Sequence, residues 1–431
     1  MNLLYANDRP GAYPPSLYAA EAPLQPPRPA LTDHITADVA IIGAGYTGLS
    51  AALHLAEAGV NVVVLEAHRV GWGASGRNGG QVATGQRVDQ DVLETRLGKP
   101  TARELWDLGE EAKALVKSLI AEHGIDCDLT PGIAYPTRRQ SDVPDYRRHA
   151  QHMAEAYGYE HITYFNRAET RAAIASPAYV AGVLDKGADH LNPLKYALGL
   201  VRAAEAAGAV IHENTRVTGL DRARPTVRTA HGSVRAEHIL LATNGYMGDL
   251  VPEVSARVMP INNYIAATAP LPERGRELLP SNIAVADDRF VVNYFRLSTD
   301  GRLIFGGGES YSYRFPSDIK AFVRKPLVQV FPQLADVELT HAWGGTLAIT
   351  RKRLPHLVRI TPTILSASGY SGMGITLATH AGKLMADAVR GEAESFETIA
   401  ALKSALFPGG PALRSPLLAA AMSWFALRDR M

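Results

Sequence analysis

Residues 39–66 read VAIIGAGYTGLSAALHLAEAGVNVVVLE. The apolar run from Val39 to Ile42 predicts a buried parallel strand, and the glycines after it fall in the order Gly-x-Gly-x-x-Gly. Gly43 permits a tight turn, Gly45 lets the backbone approach a pyrophosphate, and Gly48 lets the next helix lie close on the strand. That helix offers unpaired N–H groups and a positive dipole end to phosphate. Ala52, Leu53, Leu55 and Gly59 keep it flush on a sheet. The second strand, Val60 to Leu65, ends in Glu66, whose carboxylate suits both ribose hydroxyls and repels a 2′-phosphate. Each part is common alone. Together, at this spacing, they specify a dinucleotide-binding unit and disfavour NADP.

Two further segments favour FAD over NAD. Residues 67–81, AHRVGWGASGRNGGQ, supply five glycines with Ser75, Arg77 and Asn78. Such backbone can lie along a pyrophosphate and ribityl chain, with Arg77 as counter-charge. Residues 366–391, SASGYSGMGITLATHAGKLMADAVRG, predict a strand, a glycine-rich turn and a helix. The helix N-terminus near Met373–Thr376 is placed to face the flavin C2 carbonyl and N1. No second Gly-x-Gly-x-x-Gly follows a strand, so electrons are expected from a bound substrate.

The rest of the chain bounds the class. At 431 residues it can form two domains. With 44 basic and 43 acidic residues the net charge is +1, so nucleic acid is not an expected partner. The single cysteine, Cys127, excludes an internal disulfide and suits a reducing compartment. No signal peptide or transmembrane segment is read, and a cytoplasmic location is expected. No histidines show metal-ligand spacing, so no metal is assigned.

The expected organisation is α/β plus α+β: a Rossmann-type FAD-binding domain interrupted by a mainly antiparallel-sheet substrate domain. The FAD-binding parts are 36–95, 185–255 and 345–400, and the substrate parts are 96–184 and 256–344. Proline-rich residues 1–35 read as an extended arm over the surface. Residues 401–431, including uncharged Ser415–Leu427, read as a tail packing on the body, with membrane-surface contact the lesser alternative. Thr101 with Glu104 predicts a capping box for a helix ending at Gly124. Asn192 and Pro193 predict the start of another. Strands are expected near 226–229, 233–235, 238–243, 261–268, 290–297, 302–306 and 363–367.

Taken together, YTGLSAALHLAEAG, VGWGASGRNGGQ, HAWGGTLAITRKRLPHL and SGYSGMG resemble the D-amino-acid oxidase/sarcosine oxidase superfamily of FAD enzymes. Within it the chain is most similar to the gamma-glutamylputrescine oxidase group, through SLYAAEA, NYFRLSTDGRLIFGGG, FPQLADVELTHAWGG and FPGGPALRSPLLAAAMSWFALRDR. The resemblance implies oxidation of a C–N bond in a small polar amine by hydride transfer to flavin N5. The imine then hydrolyses, and oxygen or another electron acceptor takes the electrons, with peroxide the product from oxygen. It places FAD contacts at Gly43, Gly45, Tyr46, Thr47, Gly48, Glu66 and Ala67. Further contacts fall at Gly73, Ala74, Ser75, Arg77, Asn78, Gly79, Gly80, Gln81 and Val217. Ala242, Thr243, Gly245, Gly372, Met373, Gly374, Ile375 and Thr376 complete the set.

The chain departs from that pattern in two places. Met373 stands where gamma-glutamylputrescine oxidases usually carry histidine, and Ile304 stands where sarcosine oxidases carry an oxygen-activating lysine. The segment GASGRNGG lacks the histidine or cysteine that links flavin covalently in some relatives, so noncovalent attachment is expected. The substrate-pocket candidates are Tyr264, Tyr294, Arg296, Trp343 and Met373, the first four expected on strands facing the flavin as an aromatic cage and a carboxylate partner, with core packing the alternative for each aromatic. Arg351 and Arg353 read either as near the site entrance or as a solvated basic turn, and no general acid or base is assigned. A dehydrogenase passing electrons to a quinone or carrier, and a flavin-binding interaction protein without turnover, are the competing readings.

Overall fold

The computed structural model describes residues 2–310 and 312–408. Two sheets organise it. In the first, the strands run in the order His356–Thr361, Ile364–Ser368, Ser233–Leu241, His34–Ile42, Val62–Leu65, Val210–His212. The last five are parallel, and His356–Thr361 returns antiparallel along the edge. Period-two alternation explains their continuous apolar character, because both faces are covered. Val39 and Ile41 pack with Leu49, Leu53, Tyr196 and Met385 of three helices, Tyr46–Glu57, Pro193–Ala206 and Gly374–Val389. Ala40 and Ile42 point the other way, toward Val227, Val234 and Val254.

In the second sheet the order is Leu339–Ile349, Met259–Thr268, Leu303–Ser310, Tyr294–Leu297, Ala284–Ala286, Thr130–Thr137, Ala181–His190, Gln81–Val82. Its pairings are antiparallel except where Ala284–Ala286 meets Thr130–Thr137. Helix Ile319–Val330 covers one face, burying Val323, Leu327 and Val330 against Tyr264, Phe295 and Phe305.

Several elements differ from the sequence reading for identifiable reasons. Helix Lys99–Glu122 starts after Gly98, with Pro100 in its first turn, so Thr101 lies inside it and no capping box forms. Its stripe of Leu108, Ala112, Val116 and Leu119 joins the core of the first sheet's helices. Residues 96–184 therefore do not belong wholly to the sheet-rich unit. Cuts at 184/185 and 344/345 pass through strands Ala181–His190 and Leu339–Ile349, both members of the second sheet. The strand expected at 290–297 begins only at Tyr294, because Asp287 Oδ1 accepts the backbone N–H groups of Arg289 and Asn293 in a turn. The predictions at 233–235 and 238–243 merge into one strand.

The N-terminal arm lies on the surface over much of its length, with residues 23–27, 29 and 30 exposed, but it is anchored by one buried stretch. Ser16 caps a short helix, Leu17–Glu21, and its Leu17 and Tyr18 are fully buried. At the other end, Phe407 packs against Met259, Ile261 and Ile349, and its N–H donates to Ala256 O. Ser415–Leu427 lies outside the described residues. No described helix is long and apolar enough to cross a membrane.

The first helix approaches its strand so closely that a Cβ on Gly48 would sit 1.9 Å from Gly43 O. Gly48→Ala is expected to destabilise the protein by about 3 kcal/mol or more, since the clash is with backbone. Thermal melting and retained flavin check this, and a Gly48→Ala protein melting like wild type would refute the contact.

Candidate active site

The first glycine turn is a cradle defined by what glycine leaves out. Gly43 holds φ +106°, and a Cβ there would lie 2.7 Å from Ala242 O, so Ala242 and Thr243 close one wall. At Gly45 a Cβ would meet Ser75 Oγ at 2.8 Å. Helix Tyr46–Glu57 has no capping side chain from its N-cap residue, Gly45, and the Tyr46 N–H donates to Ser75 Oγ at 3.0 Å. Thr47 Oγ1 is 2.6 Å from Tyr370 OH, which ties this helix to the turn before helix Gly374–Val389.

Glu66 stands at the end of the second strand. Its carboxylate oxygens accept the N–H groups of Ala44 at 2.9 Å and His68 at 2.8 Å. Each oxygen keeps a lone pair for a ribose hydroxyl. Burial pushes the Glu66 carboxyl up to about 7, against the pull of those N–H donors.

Segment 73–81 is held by internal hydrogen bonds. Asn78 Nδ2 donates to Ala74 O and Ser75 O, and Asn78 Oδ1 accepts the Gly80 N–H. Gln81 pairs with His190 in the second sheet, so this loop stitches the two units together. Arg77 is not a loose counter-charge. It is 3% exposed, lies over the Trp72 ring, and donates to Trp72 O, Gly344 O and Asp8 Oδ2. Asp8 already neutralises it, so its charge serves the loop's fold before it serves phosphate.

Across the cradle, Gly372 takes φ +105° and lets the chain turn into helix Gly374–Val389. No side chain caps that helix, and the first-turn N–H groups of Gly374, Ile375 and Thr376 precede any intrahelical acceptor. The buried Thr376 Oγ1 has no hydrogen-bond partner. Two helix N-termini without a cap from their own N-cap residue, a glycine cradle, an acid at the ribose position and an orphaned hydroxyl together fit FAD. Gly245 stands against Leu347 O, and Val217 packs on the cluster covering the sheet's opposite face.

Of the five expected substrate-side residues, the four on strands do not converge. Tyr264 pairs with Gly344, and Ile265 with Trp343, so sheet parity puts Tyr264 and Trp343 on opposite faces. Tyr264 is fully buried against Phe315 and Phe322, away from the cradle. Trp343 does face the cradle side, but it is 1% exposed, meets Tyr18 edge-on, and donates from Nε1 to Arg77 O at 3.1 Å. Arg296 is 4% exposed and spends its donors on Gly79 O, Leu297 O and Tyr18 OH. Tyr294 packs on Gly79 and Gly306 and donates to Asn263 Oδ1. Three of the four thus support the cofactor loop from one sheet face, on which Ile304 packs with Leu17 and Tyr18. No aromatic cage forms.

Met373 instead packs with Tyr135 on a small cluster of Ala83, Ile133, Ala188 and Ala284. Tyr135 was not singled out by sequence, because its strand carries prolines and no recognisable motif. Burial holds its hydroxyl well above its ordinary range, so it is neutral at physiological pH. Arg351 donates to Leu406 O, out along the C-terminal segment.

Residues 38–388 match the family model for the FAD-dependent oxidoreductases called DAO. The chain is 43% identical over 417 residues to a probable oxidoreductase, OrdL, of Rhizobium meliloti (strain 1021), covering 96% of this chain and 97% of that protein. It is 39% identical to gamma-glutamylputrescine oxidoreductase of Escherichia coli (strain K12), covering 96% and 98%. Among solved structures, glycine oxidase from Geobacillus kaustophilus superposes with a TM-score of 0.70 at 23% identity, over 83% of this chain and 95% of that one.

The Glu66 environment carries a pH signature. An acid whose pKa rises from 4.5 to about 7 on folding favours the fold in its protonated form. That contribution is complete below the unfolded pKa and is lost as pH rises through about 7. In flavin-stripped protein the melting temperature is expected to fall across that window for this reason, and Glu66→Gln should flatten the fall. Parallel profiles for the two proteins would remove Glu66 as the cause.

Proposed function

Because the chain belongs to the DAO family of FAD-dependent oxidoreductases, we propose that it oxidises a C–N bond in a small polar amine, on the pattern of a gamma-glutamylated polyamine. FAD, when bound, supplies the two-electron acceptor for the hydride leaving the carbon next to nitrogen. The amine becomes an imine, water splits the imine to an aldehyde and ammonia (or an amine, where the nitrogen is substituted), and oxygen is the proposed final acceptor, giving hydrogen peroxide. The supporting observation is the Met373–Tyr135 apolar cluster beside the uncapped Gly374–Val389 helix. Neither residue there carries a charge near neutral pH. Such a face suits a substrate that arrives as a free amine and needs positioning more than acid–base help.

The chain's own residues divide the remaining work. Gly43, Gly45, Gly48 and Glu66 are proposed to hold the dinucleotide, and Asn78 to shape the loop along it. The first turn of helix Gly374–Val389 would stabilise negative charge on reduced flavin through fixed N–H dipoles. With methionine at 373 and isoleucine at 304 no side-chain cation stands at either position, which favours an electron carrier as the second reading. Attachment is proposed to be noncovalent: segment 73–80 has no histidine or cysteine, and burial pushes the Cys127 thiol up to about 12. A reducing compartment, and so the cytoplasm, is proposed on the same single cysteine.

Two outcomes are expected. Anaerobic addition of amines bearing a remote carboxylate should bleach the flavin faster than alcohols or 2-hydroxy acids do. The rate should rise with pH as the amine loses its proton, whereas a pH-flat rate or a preference for alcohols would count against amine oxidation. Acid precipitation should leave a colourless pellet and intact FAD in solution, and a yellow pellet would establish a covalent link.

A further inference from the structure

Segment 84–90 crosses the end of the Met373–Tyr135 cluster and is fastened at both ends. Thr84 Oγ1 accepts from Lys113 Nζ at 3.0 Å, and Gln86 Nε2 donates to Leu105 O at 3.0 Å. Further on, Val88 packs on Leu93, Leu105 and Leu354, and buried Gln90 donates from Nε2 to Ala102 O and Tyr157 OH. Gly85 lies so close to Gly109 that a Cβ on Gly109 would come within 2.7 Å of Gly85 Cα. Residues 86, 88 and 90 therefore turn inward, and the two between them, Arg87 and Asp89, are both exposed.

Among the described residues neither exposed side chain has a hydrogen bond or an ion-pair partner. Asp89 precedes helix Gln90–Leu97 but does not cap it with its carboxylate. Arg87 lies against the turn that leads into Met373: a Cβ on Gly372 would be 3.9 Å from Arg87 Nε. Both residues act on Tyr135, Arg87 lowering and Asp89 raising the pKa of its hydroxyl, more weakly than burial does. By contrast, Arg296 donates from all three guanidinium nitrogens to the protein, and Arg77 is paired with Asp8 and donates from Nε and Nη1, with only its buried Nη2 lacking a partner.

We propose that Arg87 and Asp89 are a recognition pair for a zwitterionic α-amino-acid head at the end of the substrate remote from the oxidised C–N bond. Arg87 takes the head carboxylate in a two-point contact, and Asp89 takes the head ammonium. The fastened backbone presents both charges without a side-chain partner to displace, so substrate does not compete with an internal ion pair. This deepens the amine-oxidation reading and rests on it, because the head is defined relative to the bond being oxidised at Met373.

The test uses the flavin-loaded full chain and three amines: gamma-glutamylputrescine, its glutaryl analogue lacking the head ammonium, and N-acetylputrescine lacking the whole head. For Arg87→Leu, the kcat/KM ratio of the glutaryl over the acetyl compound is expected to drop by about tenfold or more, mainly through KM. Arg87→Lys should recover part of it. For Asp89→Asn the ratio of the gamma-glutamyl over the glutaryl compound should drop instead. Ratios that stay at wild-type values, with the flavin still bleached by amines, overturn the head recognition alone. A wild-type flavin that no amine reduces overturns the amine-oxidation reading, and this pair with it.

Discussion

One buried cation joins the parts of the chain that have to meet. The Arg77 guanidinium reaches Asp8 on the arm, Trp72 O in its own loop and Gly344 O on a strand far along the sequence. A charge at 3% exposure is costly unless it is paired and hydrogen-bonded, so these groups are fixed relative to one another. Trp343 Nε1 closes the arrangement by donating to Arg77 O. His68 adds a second tie. Its Nδ1 accepts the Gly11 N–H, its Nε2 donates to Leu4 O, and its ring stacks on Trp72. Burial lowers the His68 pKa, which favours the neutral ring that this pattern requires.

Sheet parity then decides which side chains can serve the site. In a strand, neighbours point to opposite faces, and antiparallel partners share a face. That rule sends Tyr264 into the core under helix Ile319–Val330 and keeps Trp343, Tyr294 and Arg296 on the cofactor side. Once there, those three are used up in holding the 77–80 backbone. The proposed substrate region is the smaller cluster around Met373 and Tyr135, built on Ala83 and on strand residues Ile133, Ala188 and Ala284.

Ionisable groups in the interior follow the same economy. Burial lowers His190 to about 3 and both His356 and His380 to about 4, so all three are neutral at physiological pH. Lys113 is another buried cation, and it is paired with Glu110, Thr84 and Tyr159. Its position fastens the segment that carries Arg87.

The dinucleotide half was legible because its signals are local. Turn geometry demands glycine at 43, helix–strand contact demands it at 48, and the strand's length fixes where Glu66 falls. The same holds for Asn192 and Pro193, whose cap and first turn form where expected. The capping box at Thr101 failed on an equally local competitor, the Gly98–Pro100 start one turn earlier. What sequence could not give was every relation between distant segments. Asp8 has no motif that points to Arg77 69 residues away. Nothing in NYFRL says that Arg296 faces Gly79 and not solvent. The order of residues pointed to the cofactor, through the local backbone geometry of one βαβ unit and of two glycine-rich segments. Only the tertiary structure decided which charges were already paired, because pairing depends on the faces that two sheets present to one another.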